Sequence, residues 1–132
     1  MKEMKFNFEK LDVYQKTNKF INKVYAITGN YPKDEQYGLV SQFRRAAVSI
    51  SLNIAEGSAR TKKEFSRYID YARGSLYECI TILDISLEQG FAGEEDACAL
   101  KEDLVEIAKM LSGLKGSLQK SVAVNCELRT TN

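Results

Sequence analysis

The chain has 132 residues, 28% of them charged and 44% hydrophobic, with one proline, no tryptophan and no histidine. A single domain of this length buries about two thirds of the surface its unfolded form exposes, so no disulfide or metal is needed to close a core. The lack of histidine removes the commonest catalytic base and the commonest metal ligand together, and with them Ser-His-Asp, Cys-His and histidine-bearing di-iron chemistry.

The formal charge of +1 hides a polarity along the chain. Residues 1–73 carry 14 Lys and Arg against 8 Asp and Glu, a net of +6, whereas residues 74–132 carry 5 against 10, a net of −5. Such asymmetry suits a basic surface for phosphates, or complementary faces on neighbouring copies, or simply solvated helix faces that differ in charge.

Residues 1–10 interleave charges with Phe6 and Phe8 and hold no apolar run of signal-peptide length. No later run approaches the roughly 20 apolar residues that span a bilayer, so a soluble cytoplasmic protein with no membrane partner is expected. From Asp12, the expected N-cap, Val13, Thr17, Phe20, Val24 and Ile27 advance by fours and threes and predict a helix over 12–28, stopped by Thr28-Gly29-Asn30 and Pro32. A second helix is predicted over about 35–56, with Leu39, Phe43, Ala46, Ile50 and Ile54 on one side and Gly57 placed to end it. Thr61-Lys62-Lys63-Glu64 reads as a capping box. It opens a third helix over 62–89, whose stripe is Phe65, Ile69, Ala72, Leu76, Cys79 and Leu83, broadened by Tyr68, Ile82, Ile85 and Leu87. The fourth, over 94–119, steps through Ala97, Leu100, Leu104, Ile107, Leu111, Leu114 and Leu118 by threes and fours throughout, behind an acidic start, Glu94-Glu95-Asp96, that suits the helix dipole. Residues 121–132 lose the pattern and read as a frayed tail. Helices this long joined by short turns predict one all-α domain, an up-and-down antiparallel four-helix bundle.

Of the three cysteines, Cys79 and Cys98 fall in helical patterns where a small apolar residue fits, and Cys126 lies in the tail. Their odd number and the lack of a CxxC pair argue for inert thiols over disulfides or metal ligation. No phosphate-binding glycine loop is present, nothing sets Ser49, Ser51 or Ser58 beside a lysine, and the expectation is a non-enzyme without cofactor. The positive charge offers more. Arg44 and Arg45 lie together on the second helix, and Arg60, Lys62, Lys63 and Arg67 gather at the start of the third, close to the end of the second. These six are the candidate nucleic-acid contacts, with a helix N-terminus beside them and Tyr68 and Tyr71 as candidate stacking rings. In Ser49–Gly57, small and polar residues interrupt an apolar stretch, so Asn53 and Glu56 are expected to tether a neighbouring helix end.

Leu39, Gln42, Arg44–Ile50 and Asn53-Ile54-Ala55-Glu56-Gly57 together resemble the signature of bacterial four-helix bundle proteins, the 23S ribosomal RNA intervening-sequence or S23 family. The likeness extends to Leu11–Lys16, Tyr31-Pro32, Glu64-Phe65, Tyr68 and Met110–Leu114, nearly the whole chain. The family usually has proline where Ser51 stands, so the second helix here is expected to run straighter. The resemblance implies a homo-oligomer, commonly a pentameric ring, without known enzymatic activity. A related branch, the accessory variability proteins of retroelements, binds nucleic acid and a reverse transcriptase, which makes RNA or DNA and such an enzyme the implied partners. The alternative is a structural module in which the basic half of one subunit pairs with the acidic half of the next.

Overall fold

The computed structural model describes the backbone of residues 3–130 and side chains as far as Ser121. Four helices make up the bundle: α1, Asp12–Thr28; α2, Leu39–Ser58; α3, Lys62–Glu88; and α4, Glu94–Thr130. Short 3-10 turns, Asn7–Lys10 and Lys33–Glu35, precede α1 and α2, and no strand occurs among the described residues. Both α1 and α3 pack against α2 and α4, while the diagonal pairs stay apart. This is the expected all-α up-and-down arrangement.

The core follows the predicted stripes. Val13, Thr17, Phe20 and Val24 of α1 meet Phe43, Ala46, Ile50 and Ile54 of α2. Ile69, Ala72, Leu76, Cys79 and Leu83 of α3 meet Ala97, Leu100, Leu104, Ile107 and Leu111 of α4. Burying a large aliphatic or aromatic side chain contributes about 1.5–3 kcal/mol, so these four stripes supply most of what opposes chain entropy. The α4 seam fades toward Leu114 and Leu118, which are half-buried. Of the residues expected to broaden α3, Ile82 is buried and Tyr68 half-buried, but Ile85 and Leu87 stay exposed.

Several boundaries differ from the sequence reading, each for a local reason. Leu11, not Asp12, is the N-cap of α1 and makes no side-chain cap. The Asp12 carboxylate falls inside the first turn, where the dipole still favours it. Helix α2 begins at Leu39 rather than 35, because Lys33–Glu35 forms a tighter turn and the Glu35 carboxylate accepts from the Leu39 N–H at 3.2 Å. It runs unbroken across Ser51, whose hydroxyl donates to Asn18 Oδ1 on α1 at 2.6 Å. Gly57 does not end α2 but lies within its last turn.

Thr61 caps α3, accepting from the Glu64 N–H at 3.2 Å, but the returning half of the capping box is not made, since the Glu64 carboxylate faces Arg60 instead. The other end of α3 closes in a Schellman motif, with Phe91 N–H donating to Ser86 O at 2.8 Å, Gly90 N–H donating to Leu87 O at 3.1 Å and Gly90 at φ +76°. That geometry turns the chain into α4 and lays Phe91 beside Tyr31, with ring centroids 5.8 Å apart, over Val40 and Ala92. The backbone of α4 stays helical to Thr130, past the predicted end near 119. No glycine or proline after Gly116 stops the helix. The side chain of Cys126 lies outside the described residues.

Candidate nucleic-acid interface

The structure separates the six candidate cations into two places. Arg44 and Arg45 sit near the start of α2 and Arg60 just past its end, about 20 Å apart along a helix rising 1.5 Å per residue. They do not form one cluster.

Arg44 serves the fold. Its Nε donates to Thr28 Oγ1 at 2.9 Å and its Nη2 to the Tyr25 carbonyl at 3.3 Å, while the guanidinium lies 4.5 Å from the Tyr25 ring centroid. A cation thus closes the C-terminal end of α1, where unpaired carbonyls and the dipole favour positive charge. Arg45, one residue on, makes no hydrogen bond to that end and is exposed. It lines an open groove of about 630 Å³ between α2 and α3, with Tyr37, Ser41, Ser49 and Glu78.

At the opposite end the cations divide again. Arg60 pairs with Glu56 at 3.2 Å and Glu64 at 3.7 Å and lies 4.8 Å from the Tyr68 ring centroid. Lys62 donates to Ser121 Oγ of α4 at 2.6 Å. Lys63 and Arg67, one helical turn apart on α3, are exposed and make no ion pair among the described residues. Of the acids nearest in sequence, Glu64 pairs with Arg60 and Asp70 is occupied by Lys115, with contacts of 2.7 and 2.9 Å.

Of the two expected tethers, Glu56 reaches the start of α3 through the Tyr68 hydroxyl, whereas Asn53 bonds within its own helix. Asn53 Nδ2 donates to Ser49 O at 2.9 Å and Ser49 Oγ at 3.1 Å on its own helix, and Ser75 of α3 donates to the same Ser49 hydroxyl at 2.9 Å. Glu56 accepts from Arg60 and, at 3.5 Å, from the Tyr68 hydroxyl. Gly57 is where the backbones approach. A Cβ there would lie 2.6 Å from Tyr68 Cβ and 2.8 Å from Phe65 Cδ1. Glycine thus lets α3 press against α2 at the start of the basic segment and sets which way Lys63 and Arg67 face.

The charge polarity is in part settled inside the chain. Lys16 meets Asp103 and Glu106, each at 3.1 Å, and Lys23 meets Asp103 at 2.9 Å, which joins basic α1 to acidic α4. Hydrogen bonds to Asp103 and Glu106 push the Lys16 ammonium upward. Burial alone would raise the Asp103 carboxyl, but hydrogen bonds and charge from Lys23 and Lys16 outweigh it and hold it below its ordinary value. Lys101 likewise pairs with Asp84. What remains is polar along the bundle axis: Glu88, Glu94, Glu95 and Asp96 at the α3–α4 turn, against Lys62, Lys63 and Arg67 at the opposite end.

Burial pushes the Cys79 thiol up to about 12, with the Glu78 charge adding to it, and such a thiol is a poor nucleophile. Cys98 departs from the sequence reading and is exposed, because it falls one residue off the Ala97–Leu100–Leu104 stripe. Among the described residues no group of Cys, Asp and Glu converges to hold a metal ion, and no helix is long and apolar enough to cross a membrane.

The protein is thus an antiparallel four-helix bundle that carries exposed cations, unpaired among the described residues, beside its α2–α3 turn. Residues 9–113 match the model of the 23S rRNA-intervening sequence protein family, and the chain belongs to that family. Its fold is similar to the crystal structure of a protein of unknown function from the S23 ribosomal protein family of Bacteroides thetaiotaomicron, with a TM-score of 0.70 and 20% identity, covering 78% of this chain and 97% of that one. No curated protein matches the chain.

Proposed function

We propose that the chain is a non-catalytic, self-associating bundle that binds nucleic acid through the start of α3. The observation that carries this is the pair Lys63 and Arg67, exposed on one helix face, free of carboxylates among the described residues, and next to the N–H groups of the first turn of α3. Cations so placed neutralise phosphates and release counterions, and a helix N-terminus adds partial positive charge. The family's name refers to 23S ribosomal RNA, which makes a structured RNA the first probe. Fluorescence anisotropy across a salt series tests the proposal. Affinity should fall steeply with salt, and Lys63→Gln with Arg67→Gln should lower the log–log slope by about two, one per phosphate contact removed. Absent or salt-insensitive binding overturns it.

Self-association rests on a different observation. Tyr37, in the turn before α2, and Leu52, on α2, are exposed at 97% and 61% of their surface and line one open groove with Arg45. Exposed apolar side chains grouped along a groove with polar neighbours favour a protein partner, and a second copy, arranged in a ring, is the partner the resemblance implies. Lys16, Lys23, Lys101 and Lys115 already have acids within the chain, whereas Arg45, in the groove with Tyr37 and Leu52, makes no ion pair among the described residues and is placed to meet the acidic residues of a neighbour.

A further inference from the structure

Two tyrosines follow the basic start of α3, and the structure gives them different surroundings. Tyr68 is engaged on several sides: Arg60 lies over its ring, its hydroxyl reaches Glu56, and its Cβ fills the space that Gly57 leaves open. Tyr71 is half exposed, at 51%, one turn beyond Arg67 on the same face. The two rings meet edge to face, with centroids 5.4 Å apart and planes 75° apart. In that arrangement at least one face of Tyr71 has no aromatic neighbour, whichever ring presents its edge. In the next turn Gly74 carries no side chain, and a Cβ built there meets no atom within 4 Å, while the Ser75 hydroxyl is turned to Ser49 of α2.

We propose that the ligand of the Lys63–Arg67 face is single-stranded nucleic acid, and that Tyr71 is the residue on which an unpaired base stacks. This rests on the nucleic-acid reading above and names the class of ligand within it. Lys63, Arg67 and Tyr71 climb α3 by single turns, so a strand whose phosphates lie against the two cations brings a base to the open tyrosine face. Asp70 borders this path, but Lys115 already holds its charge, which lessens its repulsion of a phosphate. A duplex keeps its base faces stacked inside and offers only phosphates and groove edges, which the cations can use and Tyr71 cannot. Tyr68 supports Tyr71 from the side, so little side-chain freedom is lost when a base arrives.

Anisotropy with three probes tests this: a mixed-sequence single-stranded RNA, the same strand annealed to its complement, and an abasic strand with as many phosphates. Tyr71→Leu should weaken binding of the single strand about tenfold, the scale of one base–aromatic stack, and leave the duplex and abasic strand unchanged. Tyr71→Phe should keep wild-type affinity for all three. Equal losses on all probes, or no loss on the single strand, overturn the stacking role. Lys63→Gln with Arg67→Gln tells the two readings apart: if that variant binds every probe as the wild type does, the nucleic-acid reading itself falls, whatever Tyr71→Leu shows.

Discussion

At the scale of residues, the tightest constraint on the basic end is a missing side chain. The nearest atoms around Gly57 are Tyr68 Cβ, which belongs to the α3 scaffold, and a Phe65 ring atom, so a methyl group there can be accommodated only if α2 and α3 move apart. Overpacking of this kind costs about 1–3 kcal/mol, partly offset because alanine favours a helix over glycine by roughly 1 kcal/mol. Gly57→Ala should therefore lower the urea midpoint at unchanged m-value, and it should weaken RNA binding by shifting Lys63 and Arg67; a variant as stable as wild type would show that the two helices yield freely. The sequence marks Gly57 as special but suggests a helix stop. Only the partner helix, not in view when α2 is read alone, shows that a close approach is what needs the glycine. Arg44 is similar: its charge is plain in the sequence, but the α1 carbonyl and Thr28 hydroxyl that occupy it lie 16 to 19 residues away.

At the scale of elements, the α1–α4 seam carries charges that the stripes do not display. Asp103 is 7% exposed and holds two lysines that reach solvent, so the pairs contribute about 1–2 kcal/mol, less than a fully buried pair would. Its carboxyl titrates lower in the folded chain than in the unfolded one, so this stability is present above the unfolded value near 3.9 and is lost as pH falls through the folded value. Lys16 has the opposite sign: its contribution is present at and below neutral pH and is lost at alkaline pH as the raised folded value is passed. Urea midpoints should show Asp103→Asn destabilised at pH 7, with the gap to wild type closing at strongly acidic pH; a gap independent of pH would mean that packing, not charge, is what the variant loses. Helix existence and inward stripes were legible because apolar spacing reports burial directly. The end of α4 was not, because a break in the apolar spacing does not by itself end a helix. Nor was the pairing of α1 with α4, since opposite charges in two segments do not say whether they meet within one chain or between two.

At the scale of the whole molecule, the bundle leaves outward apolar groups that its own core does not use, Tyr37 just before α2 and Leu52 on it among them. Covering them with a second copy predicts sedimentation above the single-chain mass, and Leu52→Glu should shift it toward the monomer while the helical circular dichroism stays unchanged. A wild type that sediments as a monomer at every concentration, or a variant that assembles as well as its parent, would remove self-association from the proposal. Charge reversal at Arg45 separates the electrostatic form of that contact from the apolar one, and Arg44 is unsuitable because reversing it would also open the end of α1.

The helix order has a kinetic consequence. Three of the four seams join helices that follow one another in sequence, whereas α1–α4 brings together Lys23 and Asp103 across 80 positions. Closing a long loop costs more entropy than closing a short one, so the local seams form first and the α1–α4 seam zips last. Contacts made after the transition state act on escape from the native state rather than on arrival. In a chevron, then, Asp103→Asn should steepen nothing and shift mainly the unfolding limb upward, so that the ion pairs between the first and last helices act chiefly as a latch on the time the bundle stays closed.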